Sequence, residues 1–242
     1  RPERLSAGTF YRTRRRQYHP STMTCFTYDD LRSEASLRSL TLLGGFHPDE
    51  NEVGLVNCRT LLMLGPDEHR FWPQFIRSEE CLDGRPDPVD RWSARVIGDL
   101  ATITGAQALY PFGTAPYLPF YQWALRTQSI HVSPVRLLVN QGQGLFISFR
   151  GALALPGRIN LPAAIPSPCT ECEAKPCLVA CPVWAMGDHD YSDPDCRAYA
   201  SSPEGQGCLE HGCAVRRACP ASSNAGRRSA HSAYHMSEFL RT

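Results

Sequence analysis

The sequence predicts an α+β protein in two parts: an α/β sandwich domain over residues 23–161 and a small cysteine-rich module over residues 169–242. Three observations lead there. Between residues 24 and 161, short apolar runs alternate with amphipathic stretches, the pattern of helices laid over a sheet. A proline-rich connector, LPAAIPSP at 161–168, interrupts that pattern. Beyond it, eight of the chain's 11 cysteines crowd between Cys169 and Cys219.

Taken in order, residues 1–22 hold six arginines, one acid and few large apolar groups, which predicts a disordered arm, with Met23 a candidate start. Residues 59–64 read as a short buried strand, and Asp67 with Glu68 as the start of a helix running to about Glu80, with Pro73 in its early turns. A second helix is better marked. Asp87 can cap it and Pro88 suits its first position; Trp92, Val96, Leu100 and Ile103 recur at helical spacing until Gly105. Strands are expected at 106–110, 136–140 and 145–155, with Gln141-Gly142-Gln143-Gly144 turning a hairpin between the last two. Met236 and Phe239 are expected to dock a C-terminal helix on the body.

The 242 residues are 42% hydrophobic and 20% charged, with a formal net charge of +1. That balance is typical of soluble globular proteins and offers no bulk attraction to nucleic acid. No apolar run approaches the roughly 18 to 20 residues of a membrane span, and nothing resembles a signal-peptide core. The expectation is a cytoplasmic protein with neither membrane nor nucleic-acid partner. The 24 arginines against the single Lys175 reflect compositional bias.

The cysteine spacing carries the chemistry. One quartet reads Cys169-x2-Cys172-x4-Cys177-x3-Cys181-Pro182; the other comprises Cys196 and Cys208-x4-Cys213-x5-Cys219-Pro220. Between residues 166 and 228 only nine large aliphatic or aromatic side chains occur, too few for an independent core. Metal binding can substitute, contributing on the order of 10 kcal/mol. Iron-sulfur clusters take four thiolates each, and in two-cluster ferredoxins the proline-flanked cysteine of one motif serves the other cluster. On that rule Cys169, Cys172, Cys177 and Cys219 hold one 4Fe-4S cluster; Cys181, Cys196, Cys208 and Cys213 hold the second. Two all-cysteine zinc sites are the alternative, since thiolate quartets also suit tetrahedral zinc. Disulfides are disfavoured without an export signal.

The region from Cys169 to Pro220 resembles the ferredoxin-like iron-sulfur module of epoxyqueuosine reductases and reductive dehalogenases, in which an isolated cysteine, here Cys196, also lies between the motifs. Upstream, Gly113-Thr114-Ala115-Pro116 and the following YLPFYQWAL resemble those reductases' Asp-Ser-Ala-Pro segment and helix. The resemblance implies a proton-donating aspartate beside cobalamin, but this chain has Gly113 there. A glycine has no proton to donate, so epoxyqueuosine reduction is not expected.

Asp87-Pro88-Val89-Asp90 and FISFRGALALPG at 146–157 resemble the family that removes upper-axial ligands from cobalamins. Both resemblances imply a nitroreductase-like α/β sandwich, and the second implies a cobalamin cofactor, with Arg150 near the substrate. His47 and His131 are the nearest imidazole candidates for cobalt.

Residues 110–123 pack six aromatic rings that could line a slot for a flat cofactor, although such rings more often form core. Arg150, Phe146, Tyr110 and Tyr117 are the cofactor-binding candidates on this reading. Asp188-His189-Asp190 reads as a solvated turn, and Cys25, Cys58 and Cys81 as small buried hydrophobes. The expected function is an iron-sulfur oxidoreductase or carrier passing electrons to a redox partner protein or a small molecule, with a corrinoid enzyme and a zinc-stapled interaction module as alternatives.

Overall fold

A computed structural model describes residues 26–49, 52–188 and 190–241; the expected N-terminal arm, Met23, Cys25 and His189 lie outside the described residues. The fold mixes helix and sheet. Helix α1 (Tyr28–Leu37) starts with a capping box, in which Thr27 Oγ1 accepts from the Asp30 N–H while Asp30 accepts from the Thr27 N–H. Strands β1 (Leu40–Phe46) and β2 (Thr60–Pro66) follow. With β3 (Gln107–Leu109) and β6 (Gly151–Leu155) they form an antiparallel sheet in the order β1-β2-β6-β3.

The two central strands, β2 and β6, are buried along their whole length. Strand alternation sends their side chains to opposite faces. Leu62, Leu64, Leu153 and Leu155 join a core with α1, α2 (Phe71–Phe75) and α4 (Pro88–Thr104). On the other face Leu61, Met63, Ala152 and Ala154 pack with Phe120, Trp123 and Ala124 of α5 (Phe120–Arg126). The sheet is therefore covered by helices on both sides.

Helix α4 follows its pattern, from Pro88 at the first position to Gly105 just beyond the end, with Trp92, Val96 and Leu100 buried. Asp87 occupies the cap position, but its side chain makes no capping hydrogen bond. The single helix expected over 67–80 is instead two short ones, α2 and α3 (Glu79–Leu82). Ser78 separates them: its Oγ donates to the Phe75 carbonyl and accepts from the Cys81 N–H, stopping one helix and starting the next.

The expected strand over 145–155 forms only at 151–155. Its first half leaves the sheet because its backbone groups are engaged elsewhere: Leu145 N–H donates to Ser222 Oγ at 2.9 Å and Phe146 N–H to the Gln143 carbonyl at 3.0 Å. The expected hairpin partner changes as well. Strand β5 (Leu138–Val139) pairs with β4 (His131–Val132), and the 141–144 turn closes on itself through an Asn140–Gly144 bridge.

The connector divides the chain in sequence but not in its packing. Val135, Val139 and Leu145 from before it share a third core with Cys177, Val215 and Cys219 from after it. A side chain at Gly144, whose φ is +55°, would meet the Ser222 backbone nitrogen at 2.3 Å, so glycine lets the two parts approach this closely. The remaining helices are α6 (Asp193–Ala200), α7 (Gln206–His211), α8 (Ala214–Ala218) and the C-terminal α9 (Ser229–Arg241). Among the described residues no helix is long and apolar enough to cross a membrane.

Candidate metal centre

Short turns and short helices place the eight clustered cysteines. Cys169 and Cys172 lie in the turn after the connector, where the Cys169 N–H donates to Ser167 Oγ at 3.3 Å. Cys177 sits in the 3-10 turn Pro176–Leu178, and Cys219 ends α8 and precedes the 3-10 turn Pro220–Ser222. These four line one small cavity, closed mainly by Pro134, Leu145, Pro168 and Pro220. Cys181, Cys196 on α6, Cys208 on α7 and Cys213 at the start of α8 line a second, closed by Val183, Ala185, Ala200 and Val215.

The partition is crossed in sequence. Cys219 leaves its own motif to join Cys169, Cys172 and Cys177, and Cys181 does the reverse. Helix α8 makes the exchange possible, because its five residues carry Cys213 at one end and Cys219 at the other. At 1.5 Å per residue it separates the two quartets by about 8 Å of helix.

The thiols feel one another within each quartet. Burial raises the pKa of Cys177, and the charges of Cys219, Cys169 and Cys172 raise it further. Burial also raises Cys169; a Ser167 hydrogen bond opposes this, while Cys219 and Cys172 add to it. Burial raises Cys196, a hydrogen bond from the Tyr191 hydroxyl opposes the rise, and Cys213, Cys181 and Cys208 reinforce it. Burial and neighbouring thiols thus favour the neutral form of Cys169, Cys177 and Cys196, although Lys175, which lines the first cavity, opposes this at Cys169. A cationic centre would draw out the protons and relieve the mutual repulsion of four thiolates. Neither cavity is lined by a carboxylate that would compete for such a centre. Among the described residues, however, no group of three His, Cys, Asp or Glu side chains is placed to hold a single metal ion.

The remaining nominated residues do not gather in one place. Phe146 lines a pocket of about 460 Å³ that Cys196 and Cys213 of the second quartet also line. Arg150 stands behind that pocket, with Nη2 donating to Ser148 Oγ at 3.0 Å, Nη1 3.9 Å from Asp90, and a buried Nε without a partner. Burial lowers the pKa of Arg150, while burial raises that of Asp90. Tyr110 stacks on Phe112 and donates to the Ala94 carbonyl at 3.0 Å; Tyr117 is exposed. Of the other rings in that segment, Phe120 and Trp123 are core.

The Nε2 atoms of His47 and His131 donate to the carbonyls of Ile159 and Ile165. Gly113 has a φ of +117°, where an aspartate would be strained although nothing lies within 4 Å of its Cβ position. Asp188 and Asp190 are exposed, as in a solvated turn. Cys58 is half-buried, with burial raising its thiol to about 11, and Cys81 packs against the first core.

The sequence reading missed a buried polar chain joining the two parts of the molecule. Glu68, next to β2, accepts from Arg227 Nη1 at 2.8 Å and from His231 Nδ1 at 3.0 Å, and His235 Nε2 lies 3.1 Å from His231 Nε2. Burial lowers the pKa of both imidazoles, that of His235 to about 2. With His231 neutral and its Nδ1–H committed to Glu68, its Nε2 accepts from His235. The spacing of His231 and His235, four residues apart on one helix face, was the available signal. No family model, curated protein or solved structure matches the chain.

Proposed function

We propose that this chain is an iron-sulfur redox protein holding two 4Fe-4S clusters, one in each cysteine quartet. The observation that carries this reading is the separation of eight cysteines into two cavities, four to each, along the crossed division that proline-flanked cysteines follow in two-cluster ferredoxins. Each cavity is ringed by four cysteines and no carboxylate, a soft donor set suited to an iron-sulfur cluster, and the proline-flanked crossing is what favours clusters over zinc.

Such clusters accept and release single electrons at potentials set partly by hydrogen bonds to sulfur and by exposure. The chain's own residues supply those controls. The Tyr191 hydroxyl donates to Cys196 in the second quartet, whereas Cys177 and Cys219 in the first are buried. Exposed Val179, Val183 and Trp184 flank Cys181, giving a redox partner an apolar landing near the second quartet. On this reading the cysteine-rich part is a ferredoxin-like module, the sheet part is nitroreductase-like, and the protein works in a reducing, cytoplasmic setting. The scattered positions of Tyr110, Tyr117, His47 and His131 give a corrinoid no comparable support.

The test is metal and sulfide analysis of anaerobically purified protein. About eight irons and eight sulfides per chain are expected, and Cys208→Ser should lower iron by about half. Zinc without sulfide would overturn the reading.

A further inference from the structure

The pocket beside the second quartet has an unusual charge balance. Four cationic or titratable bases line it, Arg136, Arg216, Arg227 and His235, and no carboxylate does. Two of the guanidiniums are already matched: Arg227 pairs with buried Glu68, and Arg136 pairs with exposed Asp190. Arg216 has no acidic partner among the described residues; it donates to the Leu145 carbonyl, and its nearest ionisable neighbours are Cys213 and Tyr191. Protein encloses it closely enough that burial lowers its pKa. A buried charge without a counter-charge is costly, and a guanidinium fork matches carboxylate and phosphate oxygens. The rest of the lining is mixed: Phe146, Ile147, Met236 and Phe239 give an apolar side, Ser148, Tyr191 and Ser232 are polar, and Cys196 and Cys213 of the second quartet also face the cavity of about 460 Å³, enough for a small organic molecule.

We propose that this pocket binds a small organic anion, a carboxylate or phosphate on an apolar body, with Arg216 gripping the anionic end and Phe146, Met236 and Phe239 enclosing the body. His235 stays neutral, first because it is buried and then because Arg150, Arg227 and Arg216 oppose its protonation; with its Nε2–H given to His231 it adds no donor to the anion. Because Cys196 and Cys213 share this wall and Cys213 acts on Arg216, the second quartet competes with the ligand for Arg216.

The experiment is calorimetric titration of the full chain, as purified anaerobically, with phenyl phosphate, benzoate and neutral benzamide. At least one of the anions should bind at least about tenfold more tightly than benzamide, the scale of a charge-assisted hydrogen bond. Arg216→Gln should abolish that preference, and Arg216→Lys should recover part of it. Arg136→Glu provides a variant at an exposed position: it should weaken anion binding at low salt without changing the metal content or the unfolding midpoint.

Equal affinity for benzoate, phenyl phosphate and benzamide would overturn the proposal, as would no binding of either anion at millimolar concentration by a folded protein. Unchanged anion affinity in both Arg216→Gln and Arg136→Glu would overturn it too, assigning Arg216 to the charge of the neighbouring quartet. Iron and sulfide measured on the same samples keep this outcome separate from the redox reading.

Discussion

The sheet region and the cysteine-rich region of this chain overcome chain entropy by different physical means. Among the described residues, the buried Trp, Phe, Leu, Ile and Met side chains all lie between Leu31 and Leu155. After the connector, the buried hydrophobic positions are small: alanines, two cysteines and Val215. Burying a large apolar side chain contributes about 1.5–3 kcal/mol, and the sheet region has many such contributions on two faces. The cysteine-rich region has few, while ordering each residue's backbone costs about 1–2 kcal/mol. It borrows Val135, Val139 and Leu145 from the first region and leaves the remainder to whatever the thiols bind. On the proposed function, bonds to the clusters would fold a segment too small to be folded by exclusion of water.

If the quartets hold the proposed clusters, the sharpest way to break this comparison is to remove their iron. Anaerobic chelation with an oxidant should cost the cysteine-rich region on the order of 10 kcal/mol, so hydrogen exchange and proteolysis should open residues 169–228 first while β2, β6 and α4 stay protected. Equal protection of both regions after complete iron loss would refute the division of labour.

A smaller effect is expected where the regions meet. Glu68→Gln leaves Arg227 buried without its counter-charge and should destabilise the protein by about 3–5 kcal/mol in urea unfolding. A loss below about 1 kcal/mol would mean that the junction does not depend on this pair.

The smallest effect is in pH dependence. Both His231 and His235 have folded-state pKa values below the ordinary value of 6.5, His235 at about 2. Below pH 6.5 the unfolded chain therefore binds protons that the folded chain refuses. Stability should fall with decreasing pH through this window, by up to about 1.4 kcal/mol per pH unit for each imidazole. Between pH 6 and 5, above the main carboxylate range, His235→Gln should flatten the slope. An unchanged slope would show that His235 titrates normally.

Local signals were legible where one short stretch decided the outcome. Helix α4 follows from Pro88, the spacing of Trp92, Val96 and Leu100, and Gly105. The division of the cysteines followed from their order and the flanking Pro182 and Pro220, because the spacing of ligands along a chain limits which can meet. Residues 67–80 and 145–150 were misread because both carry apolar side chains compatible with a longer element. In the first, Ser78 diverts the backbone groups; in the second, Ser222, 77 residues away from Leu145, takes a donor the sheet would need. Arg216 was illegible for another reason: in a chain with 24 arginines, only the fold shows which of them is enclosed beside a pocket and paired with no carboxylate among the described residues.

By itself, the sequence determined the mixed fold class, the helix at 88–104 and the two sets of four cysteines, all properties of residue type and spacing along the chain. Only the tertiary structure decided that the two regions share a core and that Glu68 reaches His231 and Arg227. It also decided that a cation-lined pocket opens beside the second quartet. Those features depend on side chains more than 60 residues apart coming within a few ångströms. Such proximity is set by how the sheet, the connector and α9 pack, and no local pattern encodes it.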